Sequence, residues 1–194
     1  KSLELGGKDE VILSAYNFSP LIGLIKSLGL KPVLVDIDRE TLSIDIPSLK
    51  KNITEKTKVI IVTHFFGQAA ELDALSRIAK EHGVFLIEDC AHSCGAEYQS
   101  KKVGSIGDAG SFSFSFAKNL NTFLGGMITT DNKDLFVKMK KRADTYKLIP
   151  RFTMAKEVFK VLIFKILFDR KVYPFTVWPF IWLGNLASLK FDNM

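Results

Sequence analysis

Residues 84–130 decide the fold: VFLIEDCAHSCGAEYQSKKVGSIGDAGSFSFSFAKNLNTFLGGMITT. The stretch begins with an uncharged apolar run, residues 84–87, that ends in Glu88 and Asp89. A short apolar run bounded by polar residues is typical of a buried parallel strand. Asp89 is therefore expected at the carboxyl end of a strand, which is the edge where open α/β sheets bind their ligands.

A second strand follows the Gly- and Ser-rich loop, because residues 111–116 alternate strictly between Ser and Phe. This period of two predicts that the Phe side chains point to one face of the sheet and the Ser side chains to the other. Lys118 follows this strand and can face Asp89 across the sheet edge. Pyridoxal phosphate (PLP) needs such a pair, an amine that attaches it covalently and a carboxylate that keeps its pyridine nitrogen protonated. A surface lysine and a helix-capping aspartate remain the alternative at this point.

Elsewhere in the first 150 residues, apolar runs alternate with amphipathic segments. This alternation predicts βαβ units and a parallel sheet. Strands are predicted at residues 9–15, 32–35, 59–63 and 127–130, and helices at residues 21–28, 47–52, 72–81 and 135–146.

Two polar groups invite other interpretations. Cys90, His92 and Cys94 form a C-x-H-x-C pattern, but it lacks a fourth ligand nearby, so no metal site is predicted. Two cysteines are also too few for a secreted disulfide framework, so we expect reduced thiols in the cytosol. His64 follows the strand at residues 59–63, and we favour a structural hydrogen-bonding role for it over a role in the cleft.

The composition is that of a globular protein, with 47% apolar and 25% charged residues. The formal charge of +6 is uneven, with 20 Lys and Arg against 18 Asp and Glu in residues 1–150, and 7 against 3 in residues 151–194. Base-stacking aromatic residues do not interleave with a basic groove, so nucleic acid is not expected as a partner.

Residues 151–194 form a separate hydrophobic, basic and helical segment in this prediction. Residues 172–189 are 18 residues without a charge, which is close to the lower limit for a membrane-spanning helix. Three interpretations stay open: packing against other parts of the protein or a second subunit, which we favour, an interfacial membrane element, and a true span. The uncharged stretch is interrupted by Pro174, Pro179, Gly184 and Asn185, which disfavours a true span. Its aromatic residues of the kind found at membrane interfaces are Tyr173, Trp178 and Trp182.

These motifs resemble the DegT/DnrJ group of nucleotide-sugar aminotransferases, which are fold-type I PLP enzymes. Besides the central stretch, the segments DEVILSAYNFSP, GLKPVLVDIDRETLSID and THFFGQAAELDAL are similar to the family and occur in the same order. The resemblance covers roughly residues 5–145 and implies a three-layer α/β large domain with a mostly parallel sheet. Since the family's proteins are longer at both ends, we expect a fragment that is inactive by itself. The Gly-Ser/Thr phosphate loop and the small C-terminal domain are expected outside it.

The resemblance also assigns roles to six residues. Lys118 and Asp89 are its catalytic pair, Lys118 as the cofactor-binding lysine and proton carrier, and Asp89 as the partner of the ring nitrogen. From the sequence alone, Phe18 is equally well explained as a core residue beneath the sheet edge. The other cofactor contacts that the family implies are Phe18 and Ala91 on the two faces of the ring, His92 beside its phenolic oxygen, and Ser113 on its phosphate.

The implied function is the transfer of an amino group from glutamate to a nucleotide-linked keto sugar, in amino-sugar biosynthesis for polysaccharide, lipopolysaccharide or antibiotics. The implied state is a cytoplasmic homodimer. Peripheral contact of residues 151–194 with the inner face of the membrane is the second-ranked interpretation of their composition and is not implied by the resemblance. One alternative is a sugar dehydratase of the same family, but those members carry histidine in place of Lys118. The other is a membrane-associated interaction protein whose PLP site is degenerate.

Overall fold

The computed structural model describes residues 3–115 and 118–179. By its packing the chain divides into two compact units, Lys1–Lys147 and Leu148–Met194. The first unit contains the strands β1 (Glu10–Ser14), β2 (Lys31–Val35), β3 (Thr57–Thr63), β4 (Phe85–Asp89), β5 (Glu97–Tyr98), β6 (Lys101–Lys102), β7 (Ala109–Ser113) and β8 (Gly126–Thr129). Its helices are α1 (Ser19–Ser27), α2 (Ile46–Asn52), α3 (Leu72–His82) and α4 (Lys133–Ala143).

Six of these strands form one twisted layer in the order β2-β1-β3-β4-β7-β8. The first five are parallel, and β8 runs antiparallel to β7. The prediction of a mostly parallel sheet is therefore confirmed. Because all parallel strands end at the same edge, the residues at their carboxyl ends are brought together there.

Apolar side chains cover both faces of the sheet, since successive residues of a strand point to opposite sides. Ile12 and Ile60 pack with residues of α2 and α3 in one core. Val11 and Val59 pack with Ile25 of α1 in the other. Helices therefore flank the sheet on both sides, which is the predicted three-layer arrangement.

Helix α3 packs on the sheet and leads directly into β4. Its buried residues recur on one face, as the amphipathic pattern predicts. The helix ends at Gly83, whose left-handed φ of 62° lets its backbone N–H reach the carbonyls of Ala79 and Lys80. The chain then enters β4, which carries Glu88 and Asp89. The buried side chains of α3 are Leu72, Leu75, Ile78 and Ala79.

The alternating stretch forms β7, which begins two residues before the predicted strand and ends at Ser113. Phe112 and Phe114 both pack into the core shared with α2 and α3, whereas Phe116 lies outside the described residues. The hairpin of β5 and β6 was not predicted. Its turn residues Gln99 and Ser100 have left-handed φ values of 48° and 64°, which Asn and Gly usually supply at hairpin turns.

The second unit contains α5 (Arg151–Leu167) and a further helical stretch at residues 173–179. Within the unit, the ring of Phe168 lies 6.0 Å from that of Phe164 and 5.8 Å from that of Tyr173, and no residue of α5 is buried. In the described part of the chain, no helix combines the length and apolarity needed to cross a membrane. The structure describes the uncharged stretch, residues 172–189, only up to Pro179. Trp182 therefore lies outside the described residues.

Candidate active site

An open cleft of about 590 Å³ lies at the carboxyl edge of the parallel strands. Its lining includes the last residues of β3, β4 and β7 and the loop after β1. The cleft brings together all six residues that the sequence predicts for the cofactor, and their individual roles remain predictions. These residues are Phe18, Asp89, Ala91, His92, Ser113 and Lys118.

Asp89 is half-buried at the end of β4, with its carboxylate in the cleft. Its Oδ1 accepts a hydrogen bond of 3.1 Å from the backbone N–H of Ala91. Its Oδ2 lies 3.5 Å from the hydroxyl oxygen of Thr63. A carboxylate has about four acceptor sites, so this one keeps capacity for a further donor such as a protonated ring nitrogen.

Lys118 is half-buried and lies in the turn that follows β7, where its backbone N–H donates to the carbonyl of Ser115 over 3.2 Å. Within residues 3–115 and 118–179, its side-chain amine has no hydrogen-bond or ion-pair partner. Asn119 ties this turn to the loop after Asp89, because its Nδ2 donates to the carbonyl of Cys94 over 2.9 Å. The amine is thus available to react within the cleft.

Phe18 lies at the amino-terminal end of α1 and is 70% exposed. The alternative of a core Phe beneath the sheet edge is therefore wrong. The backbone N–H of Phe18 donates to Oδ1 of Asn17 over 2.7 Å, which fixes the loop that presents the ring. A free aromatic face at the mouth of a cleft can stack against a planar ligand.

An aromatic group borders the cleft beside His92. The ring of Phe65 lies 5.0 Å from that of Tyr16 and 6.1 Å from that of His92, and Phe66 is also 6.1 Å from His92. His92 is exposed, and its imidazole lies beside the rings of Phe65 and Phe66. Its imidazole is thus oriented by aromatic packing.

Three polar residues of the cleft were missed by the sequence analysis: Asn17, Thr63 and Ser115. The hydroxyl of Ser115 lies 3.2 Å from that of Ser113, so the two form a hydroxyl pair. Asn17 and Thr63 follow the rule that points to Asp89, since both lie at carboxyl ends of predicted strands. That rule, applied to every strand, was the signal that could have found them.

Behind the cleft, His64 and Glu88 form a buried network, and both side chains are fully inaccessible. The Nε2 atom of His64 lies 3.1 Å from Oε2 of Glu88, and Nδ1 accepts the backbone N–H of Ala70 over 3.1 Å. Because Nδ1 accepts, the imidazole proton is on Nε2 and is donated to Glu88. The predicted structural role of His64 is confirmed. Glu88 also accepts backbone N–H groups from Gly104, Ile106 and Gly107, at 2.7, 2.8 and 2.6 Å.

Cys90 completes a buried cluster with His64 and Glu88 whose ligand atoms lie within 4.8 Å of one another. Burial, and then the charge of Glu88, raise the pKa of the Cys90 thiol to about 12, so the thiol stays protonated. Both nitrogens of His64 and both oxygens of Glu88 already have hydrogen-bond partners. The cluster has the chemistry of a structural network rather than of a metal site.

The cleft has the groups that PLP requires. It offers an amine without a partner among the described residues, a carboxylate with spare acceptor capacity, an exposed aromatic face, and a hydroxyl pair suited to a phosphate.

Comparison with known proteins agrees with this chemistry. The sequence profile of the DegT/DnrJ/EryC1/StrS aminotransferase family matches residues 1–149. The chain belongs to this family, whose aminotransferases are PLP-dependent.

Individual relatives give the same assignment. The spore coat polysaccharide biosynthesis protein SpsC of Bacillus subtilis is 43% identical over 140 residues, which are 72% of this chain and 36% of SpsC. GDP-perosamine synthase of Caulobacter vibrioides is 39% identical over 139 residues, 72% of this chain and 38% of the synthase. The crystallised aminotransferase of Psychrobacter cryohalolentis superposes with a TM-score of 0.71 and 36% identity, over 74% of this chain and 36% of that one. The chain thus spans little more than a third of the length of these relatives.

Proposed function

We propose that the full-length protein transfers the amino group of glutamate to a keto sugar carried by a nucleoside diphosphate, with PLP as cofactor. The observation that carries this proposal is the shared cleft of Lys118 and Asp89, in which no described residue pairs with the amine and the carboxylate keeps acceptor capacity. Support for the sugar comes from the family, and from a relative whose name, GDP-perosamine synthase, contains a nucleotide-linked sugar. On the resemblance alone, the proposal includes a cytoplasmic homodimer.

PLP withdraws electrons from the carbon atom whose C–H bond is broken. In the proposal, Lys118 would hold the cofactor through its amine, and the same amine would carry the proton between substrate and cofactor. Asp89 accepts a hydrogen bond from the protonated ring nitrogen and so keeps the ring able to withdraw electrons.

The remaining cleft residues orient the cofactor. Phe18 and Ala91 would flank the two faces of the ring, His92 would lie beside the phenolic oxygen, and Ser113 would donate to the phosphate. The hydroxyl of Ser115, only 3.2 Å from that of Ser113, can share this last role.

The dehydratase alternative is disfavoured by Lys118 itself, because the family's dehydratases have histidine there. The interaction-protein alternative requires a cleft that takes up no cofactor. An absorbance spectrum of the full-length protein after incubation with PLP separates it from the aminotransferase.

The test of the function uses full-length wild type, Lys118→Ala and the control Lys101→Ala, whose exposed lysine lies outside the cleft. We expect Lys118→Ala to lose the visible band of lysine-bound PLP and the half-reaction with glutamate, while Lys101→Ala keeps both. Borohydride reduction followed by peptide mapping should locate the cofactor on Lys118. Attachment to a different lysine contradicts the assignment.

A further inference from the structure

Asn17 and Thr63 link the ends of β1 and β3 directly beside Asp89. The Nδ2 of Asn17 donates a hydrogen bond of 3.0 Å to Oγ1 of Thr63. Oγ1 of Thr63 in turn lies 3.5 Å from Oδ2 of Asp89. The side chains of Asn17, Thr63 and Asp89 thus lie in a row, although the three residues are far apart in the sequence.

The direction of the hydrogen bonds in this row is fixed by its first member. Oδ1 of Asn17 accepts the backbone N–H of Phe18 over 2.7 Å, and a backbone N–H can only donate. The amide nitrogen therefore faces Thr63 and donates to its hydroxyl oxygen. The hydroxyl proton of Thr63 is left for another acceptor, and Oδ2 of Asp89 is within reach.

The burial of Thr63 favours a contact of its hydroxyl with Asp89 over a contact with water. Thr63 is only 5% exposed, so bulk water competes little for its hydroxyl. The carboxylate of Asp89 then has one protein donor near each oxygen, Thr63 at Oδ2 and the N–H of Ala91 at Oδ1. The firm donor at Oδ1 and the longer contact at Oδ2 lie on different oxygens, so together they restrict rotation of the carboxylate.

We propose that Asn17 and Thr63 act as a pair of positioning residues, setting the orientation of the Asp89 carboxylate relative to the ring of Phe18. This inference rests on the proposed function, since it concerns how the two contacts of the cofactor ring are aligned. Asn17 holds the backbone of Phe18 through one end of its amide and Thr63 through the other. The residue that stacks on the ring and the residue that binds its nitrogen are thereby joined.

The test measures the dissociation constant of PLP by absorbance titration of the cofactor-free, full-length protein. Thr63→Val keeps the branched shape but removes the hydroxyl, and we expect affinity to fall about fivefold, the effect of one hydrogen bond. Thr63→Ser restores the hydroxyl and should bind within about twofold of wild type. The control is Thr145→Val, an exposed threonine outside the cleft, and it should bind like wild type.

A second variant keeps the inference testable if Thr63→Val fails to fold. Asn17→Ala removes the donor to Thr63 and should also weaken PLP binding about fivefold or more. In the double variant the loss should be smaller than the product of the two single losses, because the part of the Asn17 effect that passes through Thr63 is already lost in Thr63→Val. If the loss of PLP affinity in the double variant equals the product of the two single losses, the proposed pair is overturned.

The outcomes separate this inference from the function. Wild-type protein that takes up no PLP overturns both. Wild-type protein that binds PLP, together with a Thr63→Val variant of unchanged affinity, overturns only the positioning role. A Thr63→Ser variant that binds PLP as weakly as Thr63→Val also overturns only the positioning role. Such a result would show that the shape of the Thr63 side chain matters and that its hydroxyl does not.

Discussion

At the residue scale, two neighbouring carboxylates have opposite environments. Successive side chains of a strand point to opposite faces, so Glu88 enters the core while Asp89 enters the cleft. Glu88 is satisfied by four N–H donors, whereas Asp89 has one firm donor and one distant hydroxyl. The first residue is therefore expected to govern stability and the second to govern chemistry.

Substituting Asp89→Asn tests the chemical role in the full-length protein. The two side chains have similar volumes, so the fold should be kept, but an amide no longer holds the ring nitrogen protonated. The rate of proton abstraction in the glutamate half-reaction should fall by several powers of ten. The exposed Asp73→Asn, on α3, is the matched control and should react normally. A near-normal rate in Asp89→Asn contradicts the role.

Substituting Glu88→Gln tests the buried network. Either orientation of the amide places its NH₂ group against two N–H donors, because each oxygen of Glu88 accepts two hydrogen bonds. We expect the free energy of unfolding to fall by about 3 kcal/mol, measured by urea denaturation of the cofactor-free protein. Glu97→Gln is the control, since Glu97 only forms an exposed ion pair with Lys102 and should change stability by about 0.5 kcal/mol or less.

The same network predicts a pH dependence. Burial acts to raise the pKa of Glu88, but the hydrogen bonds from His64 and the backbone N–H groups outweigh it and hold the pKa below its usual 4.5. A lowered pKa in the folded state adds stability above the ordinary pKa, and this is lost as the pH falls through the folded-state pKa. The stability difference between wild type and Glu88→Gln should therefore be constant near neutral pH and shrink below pH 4.5. Urea denaturation at a series of pH values measures it, and a difference that grows in acid contradicts the network.

At the element scale, the loop between β6 and β7 is held against β4 by close backbone contacts. A Cβ atom on Gly107 would lie 2.8 Å from the carbonyl oxygen of Leu86 and 3.3 Å from Cγ of Glu88. This approach lets the backbone N–H of Gly107 reach Glu88. Glycine is required at position 107 because the backbone of β4 lies so close, and not because of an unusual φ angle.

Two alanine substitutions separate this effect from the general cost of glycine. Gly107→Ala should lower the free energy of unfolding by roughly 1–3 kcal/mol, because a backbone carbonyl cannot move aside easily. Gly23→Ala, in the middle of α1 with open space around the new Cβ, should raise it by roughly 0.5–1 kcal/mol. Thermal or urea denaturation of the full-length protein measures both. Equal effects of the two variants would contradict the contact.

At the scale of the whole molecule, helix α5 of the second unit has no buried residue. The apolar residues of α5 are not confined to one face, and lysines are spread among them. An interfacial membrane helix requires a polar and an apolar face, whereas a helix that is apolar all round usually packs against protein. The prediction that residues 151–194 pack against other parts of the protein or a second subunit stays a prediction.

Vesicle co-sedimentation tests that preference. We expect the full-length protein to remain in the supernatant with phosphatidylserine vesicles as with phosphatidylcholine vesicles, at low and at high salt. The control variant replaces Lys156, Lys160 and Lys165 by Gln and should behave identically. Each basic residue near an anionic surface contributes about 1 kcal/mol. Salt-sensitive binding that the three substitutions abolish therefore supports membrane contact instead.

The amino-acid sequence by itself determined the kinds of elements and the edge at which the site lies. Hydrophobic periodicity is a local property, so the strands around Asp89 and Phe112 and the face of α3 could be predicted from their own residues. The six cofactor residues could be named because their motifs resemble those of a family, and the strand-end rule places Asp89 at the ligand edge.

Only the tertiary structure decided which polar groups meet there. Asn17 and Thr63 are 46 residues apart, and the backbone of Gly104 meets Glu88 from 16 residues away. Such contacts depend on the strand order β2-β1-β3-β4-β7-β8 and on its register, which no local pattern specifies. The exposure of Phe18 is of the same kind, since an aromatic residue after a strand has the same local sequence whether it faces a core or a cleft.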